Sequence, residues 1–223
     1  MTAVSTPKVR ILIADDHPLI REGTRGVLTQ EPGWEVCGQA ATGREAVTQA
    51  RALKPDVVLL DMTMPELNGL DAAIQIRRER PETEIAILSS YGSEDVIRRA
   101  FEAGAKSFIV KTETEEFLVE AVKALARHKP FFTPRVSRIL SSTFLASPEG
   151  DRAEPGSGEF LSGREREVLQ LIAEGNTNKE VAAALDISTR TAENHRASIL
   201  RKLNLDTVAD AVRYAIRNKM IEP

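Results

Sequence analysis

The sequence predicts an α/β doubly wound, five-stranded parallel sheet followed by a small all-α domain built on a helix-turn-helix. Three observations carry this prediction. Through residue 127, short apolar runs alternate with stretches at helical spacing, the βαβα pattern of a parallel sheet covered on both faces. Proline and glycine then concentrate in SPEGDRAEPGSG, Ser147 to Gly158, which reads as a tether. Beyond it no strand pattern returns, and capped helices succeed one another.

Val9 to Ala14 is the first strand, ending in Asp15-Asp16-His17-Pro18. Pro18 suits the first turn of a helix that carries Leu19, Ile20, Gly23, Val27 and Leu28 at helical spacing. WEVCGQA is the second strand, and Thr42 with Glu45 forms a capping box for a helix to about Leu53. Val57 to Leu60 is a third, fully apolar strand that runs into Asp61 and a loop containing Pro65 and Gly69. A helix follows from about Leu70 to Glu79. Ile85 to Ser89 is the fourth strand, and Ser93 caps a helix with Val96, Ile97, Ala100 and Phe101 inward. Ser107 to Val110 is the fifth strand. Thr112 with Glu115 reads as a second capping box, before a helix that buries Phe117, Ala121, Val122 and Leu125. Pro130 then breaks the pattern, and a short linker helix starts at Thr133-Pro134 with Val136, Ile139, Leu140 and Phe144 as its apolar residues. The domains so defined are residues 1–128, a linker at 129–158, and residues 159–223.

The chain has 223 residues, 42% hydrophobic and 28% charged, the make-up of a soluble globular protein. Its net charge of −3 is unevenly spread: −4 over residues 1–127, +1 over 128–158 and zero over 159–223. Bulk charge therefore points to no polyanionic partner. The single cysteine, Cys37, excludes an intrachain disulfide and reads as a small buried hydrophobe. The N-terminus lacks a signal-peptide pattern, and no apolar run approaches the ~18 residues of a membrane span. A cytoplasmic location is expected.

The strand ends collect the chemistry. In an open parallel sheet they face one crevice, where ligands bind. The first strand brings Asp15 and Asp16, the third Asp61, the fourth Ser89 and the fifth Lys111. Three carboxylates in one crevice favour a hard divalent cation, and Mg²⁺ suits oxygen ligands that leave room for waters and a phosphate. Lys111 and Ser89 add cationic and hydroxyl partners. Together they form equipment for phosphoryl transfer to a carboxylate. His17 reads as a loop residue beside them.

On these residues the sequence resembles the receiver domain of two-component response regulators, a flavodoxin-like fold, from residue 8 to 127. The match covers Asp15-Asp16, Asp61, Pro65 and Gly69, Ser89, Phe108 and Lys111. The resemblance implies that Asp61 accepts a phosphoryl group from a sensor histidine kinase. It implies that Asp16, Asp61 and the Thr63 carbonyl ligate Mg²⁺, with Asp15 shaping the site. Ser89 and Phe108 would be the switch pair, Phe108 turning inward on phosphorylation. Thr63 and Tyr91 match positions that tune dephosphorylation. Many receivers follow the lysine with proline, where this chain has Thr112. Two other readings fit the same residues. One is a regulator that works by interaction alone; the other is a Mg²⁺-dependent phosphatase using an aspartyl phosphate, whose usual second Asp is here Thr63.

In the second domain, Ser162 with Glu165 is a third capping box, and the helix it starts buries Val168, Leu169, Leu171 and Ile172 and stops at Gly175. Asn178 to Leu185, the turn Asp186-Ile187-Ser188 and a helix from Thr189 to about Leu203 make the helix-turn-helix. On its second helix Ala192, His195, Ile199 and Leu203 form the inward stripe, with His195 equally readable as a phosphate contact. Arg190, Glu193, Asn194, Ala197 and Arg201 form the outward one. Asn194 can pair with adenine, Glu193 with cytosine and Ala197 with a thymine methyl. A last helix, Thr207 to Lys219, aligns Val208, Ala211, Val212 and Ala215.

This half resembles the LuxR-type output domain in REREVL, NKE and the H…IL.KL tail, with Ala192 where valine is usual. The whole is similar to a NarL/FixJ-type response regulator. The resemblance implies Asn178, Lys179, Thr191, His195, Arg196 and Lys202 as DNA-backbone contacts and Glu193, Asn194 and Ala197 as base readers. It implies a receiver that covers the recognition helix until phosphorylated, then a homodimer through Val208, Ala211, Val212 and Ala215 on a roughly palindromic double-stranded DNA site. It implies a regulator, not a turnover enzyme, with no membrane partner.

Overall fold

The computed structural model describes residues 8–146 and 161–222, with side chains described through Ser141 in the first segment. The chain divides into two compact units, one built on a parallel sheet and one on the C-terminal helices. The tether read at Ser147 to Gly158, and the side chain of Phe144, lie outside the described residues.

The first unit runs β1 (Val9–Ala14), α1 (Pro18–Leu28), β2 (Trp34–Ala40), α2 (Gly43–Leu53), β3 (Val57–Asp61), α3 (Gly69–Glu79), β4 (Glu84–Ser89), α4 (Glu94–Glu102), β5 (Ser107–Val110), α5 (Thr114–Leu125), β6 (Phe131–Phe132) and α6 (Pro134–Ala146). All pairings are parallel, in the order β2-β1-β3-β4-β5-β6. Side chains alternate across the sheet. Ile11, Ile13, Val57, Leu59, Ala86, Leu88 and Ile109 pack with Leu118, Ala121, Val122 and Leu125 of α5. Their neighbours Leu12, Val58, Leu60, Ile87 and Phe108 are buried as well. Burial on both faces explains why these strands read as apolar runs without alternation.

The sheet has six strands where five were expected. Residues Phe131 and Phe132, read as linker, extend the β5 edge: Phe131 N–H donates to the Lys106 carbonyl at 3.1 Å. Two residues carry no periodicity, so sequence pattern could not separate this strand from a loop. Other departures are local. Lys111–Glu113 forms a 3₁₀ turn, and α5 begins without a side-chain cap, so the Thr112/Glu115 box is not formed. Ser93 holds the N-cap position of α4 but makes no side-chain cap bond. On α1, Leu19 and Ile20 face solvent while Thr24 and Leu28 are buried. Leu118 is buried on α5, and Phe117 only half so. Cys37 is half-buried on the edge strand β2, its thiol donating to the Ile11 carbonyl at 3.4 Å.

The second unit contains α7 (Gly163–Ala173), α8 (Asn178–Leu185), α9 (Thr189–Lys202) and α10 (Val208–Arg217). Its N-caps are well made: Ser162/Glu165, Thr177/Glu180 and Thr207/Asp210 are all reciprocal capping boxes. Each satisfies two otherwise orphaned backbone donors. Val168, Leu169, Val181, Leu185, Ala192, Ile199, Ala211 and Ala215 share one core. Ala211 and Ala215, expected on a dimer face, are buried in the core of their own unit. Val208 and Val212 are half-buried. Among the described residues, no helix is long and apolar enough to cross a membrane.

Candidate phosphoacceptor site and recognition helix

The order of the sheet reverses at β1, so β1 and β3 lie side by side and their carboxyl ends define the crevice. Register aligns Ala14 with Leu60 and Asp61 with Leu88, which sets Asp15 and Asp16 next to Asp61 and leaves Ser89 one residue beyond. Gly69 closes the loop after β3. Its N–H donates to the Met62 carbonyl at 2.8 Å, and a Cβ there would stand 2.1 Å from the Asp61 carbonyl oxygen. Only glycine fits.

Asp15 and Asp61 are buried, while Asp16 is partly open. Lys111 Nζ lies 2.8 Å from Asp15 Oδ2 and 3.0 Å from Asp61 Oδ2. Asp15 Oδ1 accepts from the His17 backbone N–H at 2.8 Å, and Arg21 Nη1 donates to the Asp15 carbonyl at 2.6 Å. His17, read from sequence as a loop residue, joins the cluster: its Nδ1 is 2.7 Å from Asp16 Oδ1. One ligand atom from each of Asp15, Asp16, His17 and Asp61 falls within 4.8 Å of the others. Sequence spacing could not reveal this, since it depends on the rotamer of a half-exposed ring.

Electrostatically the crevice is short of positive charge. Burial pushes the Asp61 carboxyl up to about 7, with Lys111 opposing and Asp15 and Asp16 adding to the rise. Burial also works against the charged Lys111, yet Asp61 and Asp15 overcome it and raise its pKa. Asp16 raises the pKa of His17. Several acceptor oxygens facing one ammonium fit a hard divalent cation that supplies the missing charge.

Ser89 is buried; its hydroxyl accepts from the Tyr91 N–H at 3.0 Å and donates to Met62 Sδ at 3.4 Å. Thr63 and Tyr91 are half-buried. Phe108, expected to turn inward on phosphorylation, is 0% exposed. Pairing on both sides of β5 encloses it.

In the second unit α8 and α9 meet through Asp186-Ile187-Ser188, where Asp186 takes a left-handed φ of 52° and Ser188 Oγ accepts from Thr191 N–H at 3.0 Å. On α9, Glu193, Asn194 and Ala197 are exposed, as the outward stripe requires. Lys179 is exposed, and Thr191, His195 and Asn178 are half-exposed. Arg196 Nη1 reaches Asn178 Oδ1 at 3.5 Å, linking the two helices. Lys202 differs from the rest. Its Nζ is 2.7 Å from the buried carboxylate of Glu165, which also accepts from Ser198 Oγ at 2.9 Å and Ser162 N–H at 2.8 Å. Burial alone would raise the Glu165 pKa, but Lys202 and the Ser162 and Ser198 donors bring it to about 2. This ion pair fastens α9 to α7, a role sequence reasoning missed.

A sheet whose strand ends hold an acidic phosphoacceptor crevice, followed by a helix-turn-helix unit, defines a phosphorylation-switched regulator. Residues 11–123 match the family described as response regulator receiver domain, and residues 159–215 match the bacterial regulatory proteins of the luxR family. The chain is 36% identical over 216 residues to an uncharacterized transcriptional regulatory protein, YxjL, of Bacillus subtilis, covering 96% of this chain and 98% of that one. It is 34% identical over 214 residues to the response regulator VraR of Staphylococcus aureus, covering 96% and 99%. Among solved structures, Salmonella typhimurium RcsB aligns with a TM-score of 0.57 and 26% identity over 94% of this chain and 98% of that one. The chain belongs to the LuxR-family two-component response regulators.

Proposed function

We propose that Asp61 is the phosphoacceptor of a transcriptional regulator whose DNA binding follows its phosphorylation state. A carboxylate oxygen of Asp61 forms a bond to phosphorus as the P–N bond of a sensor kinase phosphohistidine breaks; the imidazole leaves and regains its proton from solvent. Asp16, Asp61 and the Thr63 carbonyl would hold Mg²⁺, with Asp15 and His17 beside them, and the ion would neutralise charge on the transferring oxygens. Lys111 and Ser89 supply the other partners of those oxygens. The single observation that carries this reading is the Asp61 carboxylate, buried at the strand end with Lys111 at 3.0 Å and further acidic groups around it.

The output lies on α9. Glu193, Asn194 and Ala197 are the base readers, and Asn178, Lys179, Thr191, His195 and Arg196 the backbone contacts. RcsB supports this reading, because it has been solved in complex with DNA and as dimers bound to DNA. Lys202 and its partner Glu165 position α9, and the homodimer draws on surface other than Ala211 and Ala215. The domains act as a receiver at 1–128, a linker at 129–158 and an output domain at 159–223, in the cytoplasm. The receiver takes one phosphoryl group and turns over nothing beyond its own hydrolysis.

The test is the intact mass of the full chain with a small acyl-phosphate donor and Mg²⁺, alongside DNA binding. We expect wild type to gain one phosphoryl group and bind DNA more tightly, and Asp61→Asn to do neither. Phosphodonor-enhanced DNA binding that persists in Asp61→Asn overturns the reading.

A further inference from the structure

The segment after α5 grips the receiver edge at several points. Phe132 packs edge-on against Phe101 of α4 with ring centroids 5.5 Å apart, and Phe131 lies 6.2 Å from Phe117 of α5. Thr133 and Val136 are 0% exposed, so α6 starts docked. Its first turn is closed by Ser137 N–H on the Thr133 carbonyl at 2.9 Å. Beside that turn, Arg135 Nη2 donates to the Gly92 carbonyl at 3.2 Å. The approach is close: a Cβ on Gly92 would lie 2.8 Å from Val110 Cγ2 and 3.0 Å from Arg135 Nη2. Gly92 belongs to the β4–α4 loop, which is tied at its other end to the site through Tyr91 N–H on Ser89 Oγ.

We infer that Arg135 is a positioning residue that reads the β4–α4 loop and sets the docking of α6. The inference rests on the reading of Ser89 as the hydroxyl that follows the phosphoryl group. Ser89 has one hydroxyl proton, now directed at the thioether of Met62, a weak acceptor. A phosphoryl oxygen is a far stronger acceptor and draws the hydroxyl toward Asp61. That movement lengthens the Tyr91 bond. Tyr91 N–H and the Gly92 carbonyl sit on adjacent residues, between the end of β4 and the start of α4, where no helix or strand ladder holds them. A shift at one end therefore reaches the other. Arg135 carries the shift to α6, the last helix of the first unit among the described residues. The side chain is exposed, so its replacement leaves the core intact.

Amide hydrogen exchange on the full chain tests this, with wild type, Ser89→Ala, Arg135→Ala and Arg135→Lys compared, each with and without acyl phosphate and Mg²⁺. Without donor, Ser89→Ala speeds exchange at both 91–92 and 136–138, by about 2- to 10-fold, the equivalent of one hydrogen bond. Arg135→Ala speeds exchange at 136–138 only, takes up phosphate as wild type does, and shows no further change there on phosphorylation. Arg135→Lys, which keeps a cationic donor, restores part of the protection. The inference is overturned if Ser89→Ala loosens 91–92 while 136–138 keeps its wild-type rate, or if Arg135→Ala leaves 136–138 unchanged. Absence of phosphoryl uptake by wild type would sink the proposed function instead, because the donor-free arms do not depend on it.

Discussion

Each unit buries a carboxylate beside a lysine, and the two behave in opposite ways. Asp61 lies 3.0 Å from Lys111 and its pKa is pushed up to about 7. Glu165 lies 2.7 Å from Lys202 and its pKa falls to about 2. The pairs are similar; their surroundings are not. Glu165 has its charge answered by a lysine, a hydroxyl and a backbone N–H. Asp61 shares its lysine with Asp15, and Asp16 adds repulsion. A satisfied carboxylate fastens helices together. An unsatisfied one holds acceptor capacity for a cation and a phosphoryl group, at a cost to the stability of the fold. Function here lives where the charge does not balance.

The sharpest way to break the comparison is to remove each lysine. Lys111→Ala leaves the buried Asp15 and Asp61 without their cation and should destabilise the metal-free receiver by about 3–5 kcal/mol, read from denaturant midpoints at pH 8. Lys202→Ala should cost less, since Lys202 is itself partly solvated and Ser162 and Ser198 still serve Glu165. Equal losses would mean that the lysine, not its surroundings, decides the outcome. Next in size is Asp61→Asn. The folded pKa of Asp61 lies above its unfolded value, so stability falls as pH rises from about 4 to about 7. Asn abolishes that penalty and should stabilise the metal-free protein by roughly 2–4 kcal/mol at pH 8, at about 1.4 kcal/mol per unit. At pH 4 the gain should vanish. A stabilisation that does not depend on pH would contradict the assignment.

Much of this contrast was legible in the sequence, and the part that was not has a common cause. Asp61, Asp15-Asp16, Ser89 and Lys111 were readable because a parallel sheet delivers every strand end to one edge. Exposed Glu193, Asn194 and Ala197 followed from helical phase. What the sequence left unread are contacts that local pattern does not encode. Lys202 looks like one more basic residue on a recognition helix until α7 brings Glu165 to it. The stripe Val208, Ala211, Val212 and Ala215 reads the same whether it meets a partner or its own core, and Ala211 and Ala215 meet the core. Leu19 has helical phase yet is 87% exposed. The pair Phe131-Phe132 is too short to show a period. His17 joins the acidic cluster by rotamer alone.

Glu165→Gln reverses the sign of the Asp61→Asn experiment at a smaller amplitude. The depression of Glu165 from an ordinary 4.5 to about 2 caps its charge contribution at about 3 kcal/mol. Gln keeps part of the hydrogen bonding, so the realised loss at pH 7 should be about 1–2 kcal/mol. A group with a depressed folded pKa contributes stability above its unfolded pKa and loses it as pH falls through the folded one. Wild type should therefore lose this increment between about pH 4.5 and 2, so the stability difference between wild type and Glu165→Gln should close over that window. In the same variant α9 loses its charged anchor to α7, so DNA affinity should weaken with Asn194 and Glu193 untouched. If Glu165→Gln matches wild type in stability from pH 7 down to pH 2, Lys202 is free of its carboxylate in solution and is again a candidate DNA-backbone contact.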